Sequence, residues 1–356
     1  MGVAGAERGA LYTTESKEPR KEQEQRSECV FNEFVILSGS GNPKLASDTI
    51  LELVKLGYKP DIEATRESKI EKFADGESKI ELGPNLRRKG VFIIQSTSPP
   101  NVDSHFIELF NMIDAAKRAW AEEIIAVVPY FGYARQDRKG RSRQPVSAKV
   151  MAETIQERGA RSILSFDLHA PQITSFVDIP WDTLPGSKVL SEEIASRGWE
   201  NYIFASPDRG GFERALEYSE LLHTDEPAIA FKRRDPKKKN HSEVIQFQGD
   251  VSEKHVIFVD DMIDTAGTIV NASNEAKARK AESVRAAATH GLFSGPALER
   301  IANSVLQEVI VTDTVKINDE VSNHPKITVV SVAPLLAEGI HRIYTGDSLS
   351  AFYPNS

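Results

Sequence analysis

The stretch VIFVDDMIDTAGTI, residues 256–269, is the most informative segment of the chain. An apolar run ends at Val259, and two adjacent carboxylates, Asp260 and Asp261, come directly after it. A short run of Val, Ile and Phe is typical of a strand that is buried on both faces of a sheet. A polar loop and a helical pattern follow, which is the strand–loop–helix unit of an α/β protein with a parallel sheet.

The same unit recurs along the chain. Short apolar runs predict strands at residues 34–37, 91–95, 124–128, 162–166, 202–205, 256–259, 309–311 and 328–332. Amphipathic stretches predict helices at residues 106–120, 146–157, 211–222 and 269–280. The sequence therefore predicts an α/β fold in which mainly parallel sheets are flanked by helices and joined by right-handed crossovers.

A chain of 356 residues is long enough for two domains. Pro, Trp, Asp and Gly cluster at residues 178–186, which predicts a boundary there. We therefore predict an N-terminal domain at 30–182 and a C-terminal domain at 183–356. Residues 1–29 have mixed charge and no apolar pattern, so a disordered extension is expected.

The composition excludes several classes of protein. A formal net charge of −8 argues against binding to nucleic acid or to an anionic membrane, because such proteins carry a basic field. No apolar run approaches the length of a membrane span. The single cysteine, Cys29, leaves no intrachain disulfide and fits a cytoplasmic protein.

The loop after the acidic pair predicts a phosphate site. It consists of five small or polar residues, Asp264, Thr265, Ala266, Gly267 and Thr268. Small residues let backbone N–H groups approach a phosphate, and the helix that follows adds a partial positive charge. Asp260 and Asp261 suit a sugar diol or a metal, so the segment predicts a pocket for ribose 5-phosphate. The plainer alternative is a helix start capped by Asp264 or Thr265.

Two other loops have the composition of a nucleotide site. PYFGYARQDRK, residues 129–139, combines aromatic rings with Arg135, Arg138 and Lys139, which suits a base and a triphosphate. FADGE, residues 73–77, adds one aromatic ring and two carboxylates. If this segment is extended, its two carboxylates point the same way and can both accept from an adenine amino group.

Three further segments carry candidate metal ligands or cations. SFDLHA, residues 165–170, presents Asp167 and His169 after a strand, and SPDRGG presents Asp208 before a pair of glycines. KRR, which contains Lys232 and Arg234, opens a polar segment that is expected to be exposed.

The turn SGSGNPK, residues 38–44, follows a strand and superficially matches a dinucleotide fingerprint. The third glycine of that fingerprint would fall at Lys44, so the motif fails. We predict an ordinary turn with a capped helix start there.

Taken together, the motifs from residue 34 to residue 315 resemble those of the ribose-phosphate pyrophosphokinases. The loop at 264–268 alone also resembles the motif of base phosphoribosyltransferases, which leaves that class open. The fuller resemblance implies two tandem phosphoribosyltransferase-type domains with the active site between them. It also implies transfer of the β,γ-diphosphoryl group of ATP to ribose 5-phosphate, dependence on Mg²⁺, and homo-oligomers in which dimers assemble to a hexamer.

The resemblance also implies roles for individual residues. ATP would be bound by Phe73, Asp75, Glu77, Arg135, Gln136 and His169, with the first three reaching a neighbouring subunit. Mg²⁺ would be associated with His169, Asp208 and Asp167. Lys232 and Arg234 would be catalytic. Ribose 5-phosphate would be bound by Arg234, Asp260, Asp261, Asp264, Thr265, Ala266, Gly267 and Thr268.

One alternative from another class remains. A regulatory homologue can keep this fold and act through assembly after losing its catalytic residues. The chain retains all the residues named above, which favours the enzyme.

Overall fold

The computed structural model describes residue 31 and residues 33–59, 68–234 and 243–353. For residues 232–234 and 243–245 the description covers the backbone only. The predicted extension at 1–29 lies outside the described residues.

The described residues alternate between strands and helices. The strands are β1 (Phe34–Ser38), β2 (Lys69–Lys72), β3 (Ser78–Glu81), β4 (Gly90–Ile94), β5 (Glu123–Val128), β6 (Ser162–Phe166), β7 (Trp181–Leu184), β8 (Tyr202–Ser206), β9 (Ala228–Arg234), β10 (Glu243–Gln248), β11 (His255–Ile263), β12 (Ser283–Gly291), β13 (Glu308–Thr312) and β14 (Ile327–Val330). The helices are α1 (Pro43–Lys55), α2 (Val102–Arg118), α3 (Ser147–Arg158), α4 (Gly186–Ser196), α5 (Phe212–Leu221), α6 (Gly267–Ala278), α7 (Ala297–Ala302), α8 (Asp319–Ser322) and α9 (Ala333–Thr345). Short 3₁₀ helices lie at Pro171–Phe176 and Leu349–Phe352.

The first sheet is parallel throughout, in the order β1-β4-β5-β6-β7. Alternate residues of its strands face opposite layers, as the pleat requires. Val91 and Ile93 face α2 and α3, whereas Phe92 and Ile94 face α1 and α9. Both faces are therefore buried, which explains why these strands are nearly continuous apolar runs.

The second sheet has the order β10-β9-β8-β11-β12-β13-β14. Only the β9–β10 pair is antiparallel among its described strands. After β8 the chain forms β9 and β10 on one side of that strand. It then crosses over, so that β11 pairs with β8 on the opposite side. The gap between the carboxyl ends of β8 and β11 is thus a topological switch point, where open α/β sheets bind their ligands.

The last helix crosses back to the first sheet. Leu336, Ala337 and Ile340 of α9 are buried in the cluster that covers one face of that sheet, beside α1. The predicted boundary at 182/183 also falls inside β7, which belongs to the first sheet. The division into 30–182 and 183–356 therefore needs correction, because the N-terminal core is completed by the end of the chain.

The predicted α/β class with mainly parallel sheets is confirmed, and all eight predicted strands are present. Seven end within two residues of the prediction, whereas β11 continues four residues beyond Val259, so Asp260 and Asp261 belong to the strand and do not follow it. Strands β2, β3, β7, β9, β10 and β12 were not predicted. The most instructive of these is β12, whose alanines favour helix by intrinsic propensity. It lies between β11 and β13, and its small side chains let α4 and α6 pack closely on its two faces.

No helix in the described ranges is long and apolar enough to span a bilayer.

Candidate active site

A cavity of about 490 Å³ opens at the switch point of the second sheet. Asp208 and Gly211 reach it from the end of β8, and residues 260–269 reach it from β11 and the start of α6. Arg135 and His169 reach it from the first sheet. Loops from both sheets therefore build one site, as the resemblance implied.

The turn between β11 and α6 is arranged to receive an anion. Ala266 is the N-cap residue of α6, has a left-handed backbone (φ 58°), and makes no side-chain capping hydrogen bond. The alternative of a helix capped by Asp264 or Thr265 is therefore wrong. The N–H groups of a helix's first turn have no intrahelical partner, so here they are available to a phosphate.

The two acidic residues of β11 have different electrostatic states. Burial, reinforced by the charge of Asp261, raises the pKa of Asp260 well above its usual range. Burial also opposes ionisation of Asp261, but a hydrogen bond from His169 and the nearby Arg214 guanidinium outweigh it and hold that pKa below its usual range. The same hydrogen bond raises the pKa of His169. The two carboxyls therefore titrate as a coupled pair, in which the pKa of Asp261 is lowered and that of Asp260 is raised.

Arg135 joins the two sheets across the cavity. Its Nη1 donates to Asp264 Oδ2 at 2.6 Å, so an arginine from the first sheet contacts the turn between β11 and α6 directly. Burial opposes ionisation of Asp264, but hydrogen bonds from Ser294 and Arg135 outweigh it and lower the pKa of that carboxyl. A second cavity of about 400 Å³ lies alongside and shares Arg135 and His169 with the first. Gln136, predicted to bind ATP, lines this second cavity.

Asp208 and Asp167, both predicted as metal-associated, lie in different places. Asp208 lines the main cavity, with its Oδ1 accepting from the N–H groups of Gly210 and Gly211. Asp167 is not among the residues lining either of these cavities. Its Oδ2 accepts hydrogen bonds from Thr289 Oγ1 and from the Gly186 N–H, so its carboxylate ties the two sheets together. The predicted association of Asp167 with a metal stays a prediction.

Phe73, Asp75 and Glu77 lie away from both cavities, in the turn between β2 and β3. The expectation of an extended segment is wrong, because Phe73 and Glu77 close a tight turn through a 2.8 Å backbone hydrogen bond. Asp75 Oδ1 accepts from the Glu77 N–H within that turn. All three residues are exposed, and the Phe73 ring is 51% accessible.

Lys232 and Arg234 occupy the end of β9, where their backbones pair with Ile245 and Glu243 of β10. The segment was expected to open an exposed loop at Lys232, whereas strand geometry continues to Arg234. The side chains of both residues lie outside the described part of the structure, so their predicted roles stay predictions.

Arg214 is the site residue that the sequence analysis missed. It lies on α5, is largely buried, and its Nη1 is 3.2 Å from Asp260 Oδ1 and 3.6 Å from Asp261 Oδ1. The available signal was the position of a lone arginine in the first turn of the helix that follows SPDRGG. Buried arginines are normally paired, which could have suggested a partner in the acidic motif.

The side chains around the cavity fit one of the ways in which proteins bind magnesium. Among the described residues, no group of three or more His, Cys, Asp or Glu side chains is arranged to hold a metal ion. Mg²⁺ commonly uses one or two carboxylates and takes its remaining ligands from substrate phosphates and water. Asp208, beside the anion-binding turn, fits that mode of binding, whereas a closed protein cage is not present in these ranges.

Comparisons with known proteins agree with this geometry. The N-terminal domain of ribose phosphate pyrophosphokinase matches residues 34–159, and the phosphoribosyl synthetase-associated domain matches residues 219–354. A ribose-phosphate pyrophosphokinase of Helicobacter hepaticus is 44% identical over 320 residues, which are 90% of this chain and 99% of that protein. One from Caldanaerobacter subterraneus subsp. tengcongensis is 43% identical over 323 residues, which are 90% and 98% of the two chains.

The crystal structure of phosphoribosylpyrophosphate synthetase from Mycobacterium smegmatis superposes with a TM-score of 0.80 at 34% identity. The match covers 88% of this chain and 100% of that one. This chain therefore belongs to the ribose-phosphate pyrophosphokinase family, and its two sheets are the two phosphoribosyltransferase-type domains of that fold.

Proposed function

We propose that this protein transfers the β,γ-diphosphoryl group of ATP to the anomeric hydroxyl of D-ribose 5-phosphate, giving 5-phospho-α-D-ribose 1-diphosphate and AMP. The observation that carries the proposal is the pair of adjoining cavities, of about 490 and 400 Å³, which share Arg135 and His169. Two phosphate-bearing ligands would meet at these side chains. Membership of the family supports the same reaction.

Ribose 5-phosphate would lie in the larger cavity. The turn at 264–268 would bind its phosphate through backbone N–H groups, and Asp260 would bind the ring hydroxyls. Holding the sugar at its phosphate and its diol leaves the anomeric hydroxyl free to react.

ATP would lie in the adjoining cavity. Arg135, Gln136 and His169 line it and would contact the phosphates and base. Since Phe73 lies away from this chain's own cavities, an adenine contact from the β2–β3 turn would come from another copy. We therefore also propose a homo-oligomer of dimers assembling to a hexamer, which light scattering coupled to size-exclusion chromatography would test.

The reaction forms a bond from the anomeric oxygen to the β-phosphorus of ATP and breaks the bond from that phosphorus to the α–β bridging oxygen. The hydroxyl proton is lost to solvent, and AMP departs with the bridging oxygen. Lys232 and Arg234 would supply positive charge to the phosphoryl oxygens as their charge increases. These two residues end β9, the neighbour of β8, whose loop carries Asp208.

Magnesium is the cofactor that we propose, and it would neutralise charge on the ATP phosphates and help to align them. Asp208 would hold it, and His169 would contact it through water or contact the phosphate chain. His169 is the weaker candidate for direct ligation because Mg²⁺ prefers oxygen.

One assay tests the proposed activity. Purified protein would be given magnesium, ATP and ribose 5-phosphate, and AMP release would be followed. AMP that forms only when both substrates are present supports the proposal. Absence of AMP would favour the regulatory homologue, or the base phosphoribosyltransferase if phosphoribosyl pyrophosphate is consumed when a base is supplied.

Lys232→Ala should reduce turnover on the order of 10²–10⁴-fold, because it removes one cation from the reacting phosphate. Lys149→Ala is the matched control, since Lys149 lies on the exposed face of α3 and pairs with Glu153. Circular dichroism should show both variants folded. Near-normal turnover in Lys232→Ala would remove this residue from the catalytic role.

We further propose a cytoplasmic location, supported by the single cysteine and the absence of a spanning helix in the described ranges. Cell fractionation would test it.

A further inference from the structure

Asp260 and Asp261 are neighbours on β11, and Arg214 Nη1 lies 3.2 Å from Asp260 Oδ1 and 3.6 Å from Asp261 Oδ1. Both residues line the cavity, but the Asp260 side chain is 20% exposed and the Asp261 side chain only 6%. A carboxylate that binds a sugar diol needs accessible oxygen atoms. Asp260 is the more accessible of the two.

Both carboxylate oxygens of Asp261 already face cationic or proton-donating groups. Oδ2 accepts from His169 Nδ1 at 2.8 Å. Oδ1 forms an ion pair with Arg214 Nη1 at 3.6 Å, while the same Nη1 donates a hydrogen bond to Asp260 Oδ1 at 3.2 Å. An arginine can only donate hydrogen bonds, so it keeps an acceptor oxygen turned toward it. Asp261 is thereby fixed between a helix of the second domain and a histidine of the first.

The contact defines which nitrogen of His169 is available. The Asp261 carboxylate is an acceptor, so His169 Nδ1 carries a proton. Within the described residues Nε2 makes no hydrogen bond, and the His169 side chain is 42% exposed where the two cavities meet. The nitrogen left for a ligand is therefore Nε2, aimed by the bond at Nδ1.

We infer that Asp261 is a positioning residue that orients His169, with Arg214 holding Asp261 in place, and that it is not a ligand of the sugar. This inference rests on the proposed function, and it replaces the expectation from the sequence that Asp261 binds ribose 5-phosphate together with Asp260. The hydrogen bond between His169 and Asp261 also joins the two domains, and it forms only when the imidazole ring turns Nδ1 toward Asp261.

The isosteric variant Asp261→Asn tests the inference. Arg214 can only donate, so the new amide would turn its oxygen to Arg214 and its NH₂ group to His169. The imidazole would then accept at Nδ1 and carry its proton on Nε2. Long-range ¹H–¹⁵N spectra of histidine-labelled protein, recorded where the imidazole is neutral, should show this reversal of tautomer. The His169 signal, one of eight histidines, is assigned from its loss in His169→Gln.

Kinetics separate positioning from sugar binding. We expect Asp261→Asn to lower kcat by about 10–100-fold and to change the ribose 5-phosphate KM by less than about threefold. Asp260→Asn should instead raise that KM by about tenfold or more. Asp225→Asn, at an exposed carboxylate paired with Lys254, is the control that should match the parent protein in every measurement.

Two results would overturn the inference. One is an unchanged His169 tautomer in Asp261→Asn. The other is a rise in the ribose 5-phosphate KM of that variant as large as the rise in Asp260→Asn. Failure of the proposed function is distinguishable, because then the parent protein releases no AMP while the tautomer comparison still gives its answer.

Discussion

The turn after β1 and the turn after β11 are built from the same unit, a parallel strand leading into a helix, yet only the second lines a described cavity. In the first turn, Asn42 caps α1 by accepting from the Leu45 N–H, and the Gly41 N–H donates to Gln95 Oε1. In the second turn, Ala266 supplies no side-chain cap to α6. One helix start is closed by the protein's own side chains, and the other is left for a ligand.

The closed turn also has a structural partner across the domain boundary. Asn42 Nδ2 donates to the Asp313 carbonyl, and Ser96 Oγ donates to the Thr314 carbonyl. The first-domain turn has therefore become part of the seam between domains, while the second-domain turn binds substrate in our proposal. A strand–helix unit can therefore bind phosphate only where no side chain of the protein already occupies the N–H groups at the start of the helix.

Among the substitutions in the two turns, Gly41→Ala should cause the largest loss of stability. A Cβ atom at Gly41 would overlap the Ser96 carbonyl oxygen, and a buried backbone atom cannot easily move. We expect a loss of about 3 kcal/mol or more in the free energy of unfolding, measured by urea denaturation. At Gly267, in the open turn, the nearest atom to a new Cβ is Arg300 Nη1 at 3.4 Å, so Gly267→Ala should change stability by less than about 0.5 kcal/mol. Equal stability of the two variants would contradict the comparison.

Gly267→Asp should convert the open turn into one that repels its ligand. The new carboxylate would lie at the start of α6, where a phosphate would otherwise bind. We expect the ribose 5-phosphate KM to rise on the order of 10–100-fold through like-charge repulsion, with little loss of stability. Gly267→Asn, which has the same shape without the charge, is the control for the initial-rate assay. A similar KM in the two variants would argue against a phosphate at this turn.

Asn42→Ala should lower the free energy of unfolding by about 2 kcal/mol, less than Gly41→Ala, because it removes both the cap of α1 and the hydrogen bond to the Asp313 carbonyl. Urea denaturation would measure it. Thr265→Ala, in the open turn, is the control and should be nearly neutral for stability, since Thr265 does not cap α6. A large loss of stability in the control would show that the open turn is held by side chains after all.

The strand–loop–helix units could be predicted because local pattern specifies them, and the loop at 264–268 could be singled out by its residue chemistry as part of a site, which the cavity it lines supports. The capped turn at 38–44 was also predicted, and Asn42 confirms it. By contrast, the alanine-rich strand β12 is set by its neighbours and not by local propensity. The position of Asp167 in the seam, and of Arg214 behind the acidic pair, depends on contacts between distant segments that one sequence does not reveal.

The return of α9 to the first sheet has a consequence for synthesis on the ribosome. Domains commonly fold in order as the chain emerges. Here Phe92 and Ile94 of the first domain remain partly uncovered until the last helix has been made. The N-terminal domain therefore reaches its final packing only after α9 has been synthesised, and a chain truncated before Ala333 would expose an apolar face prone to aggregation.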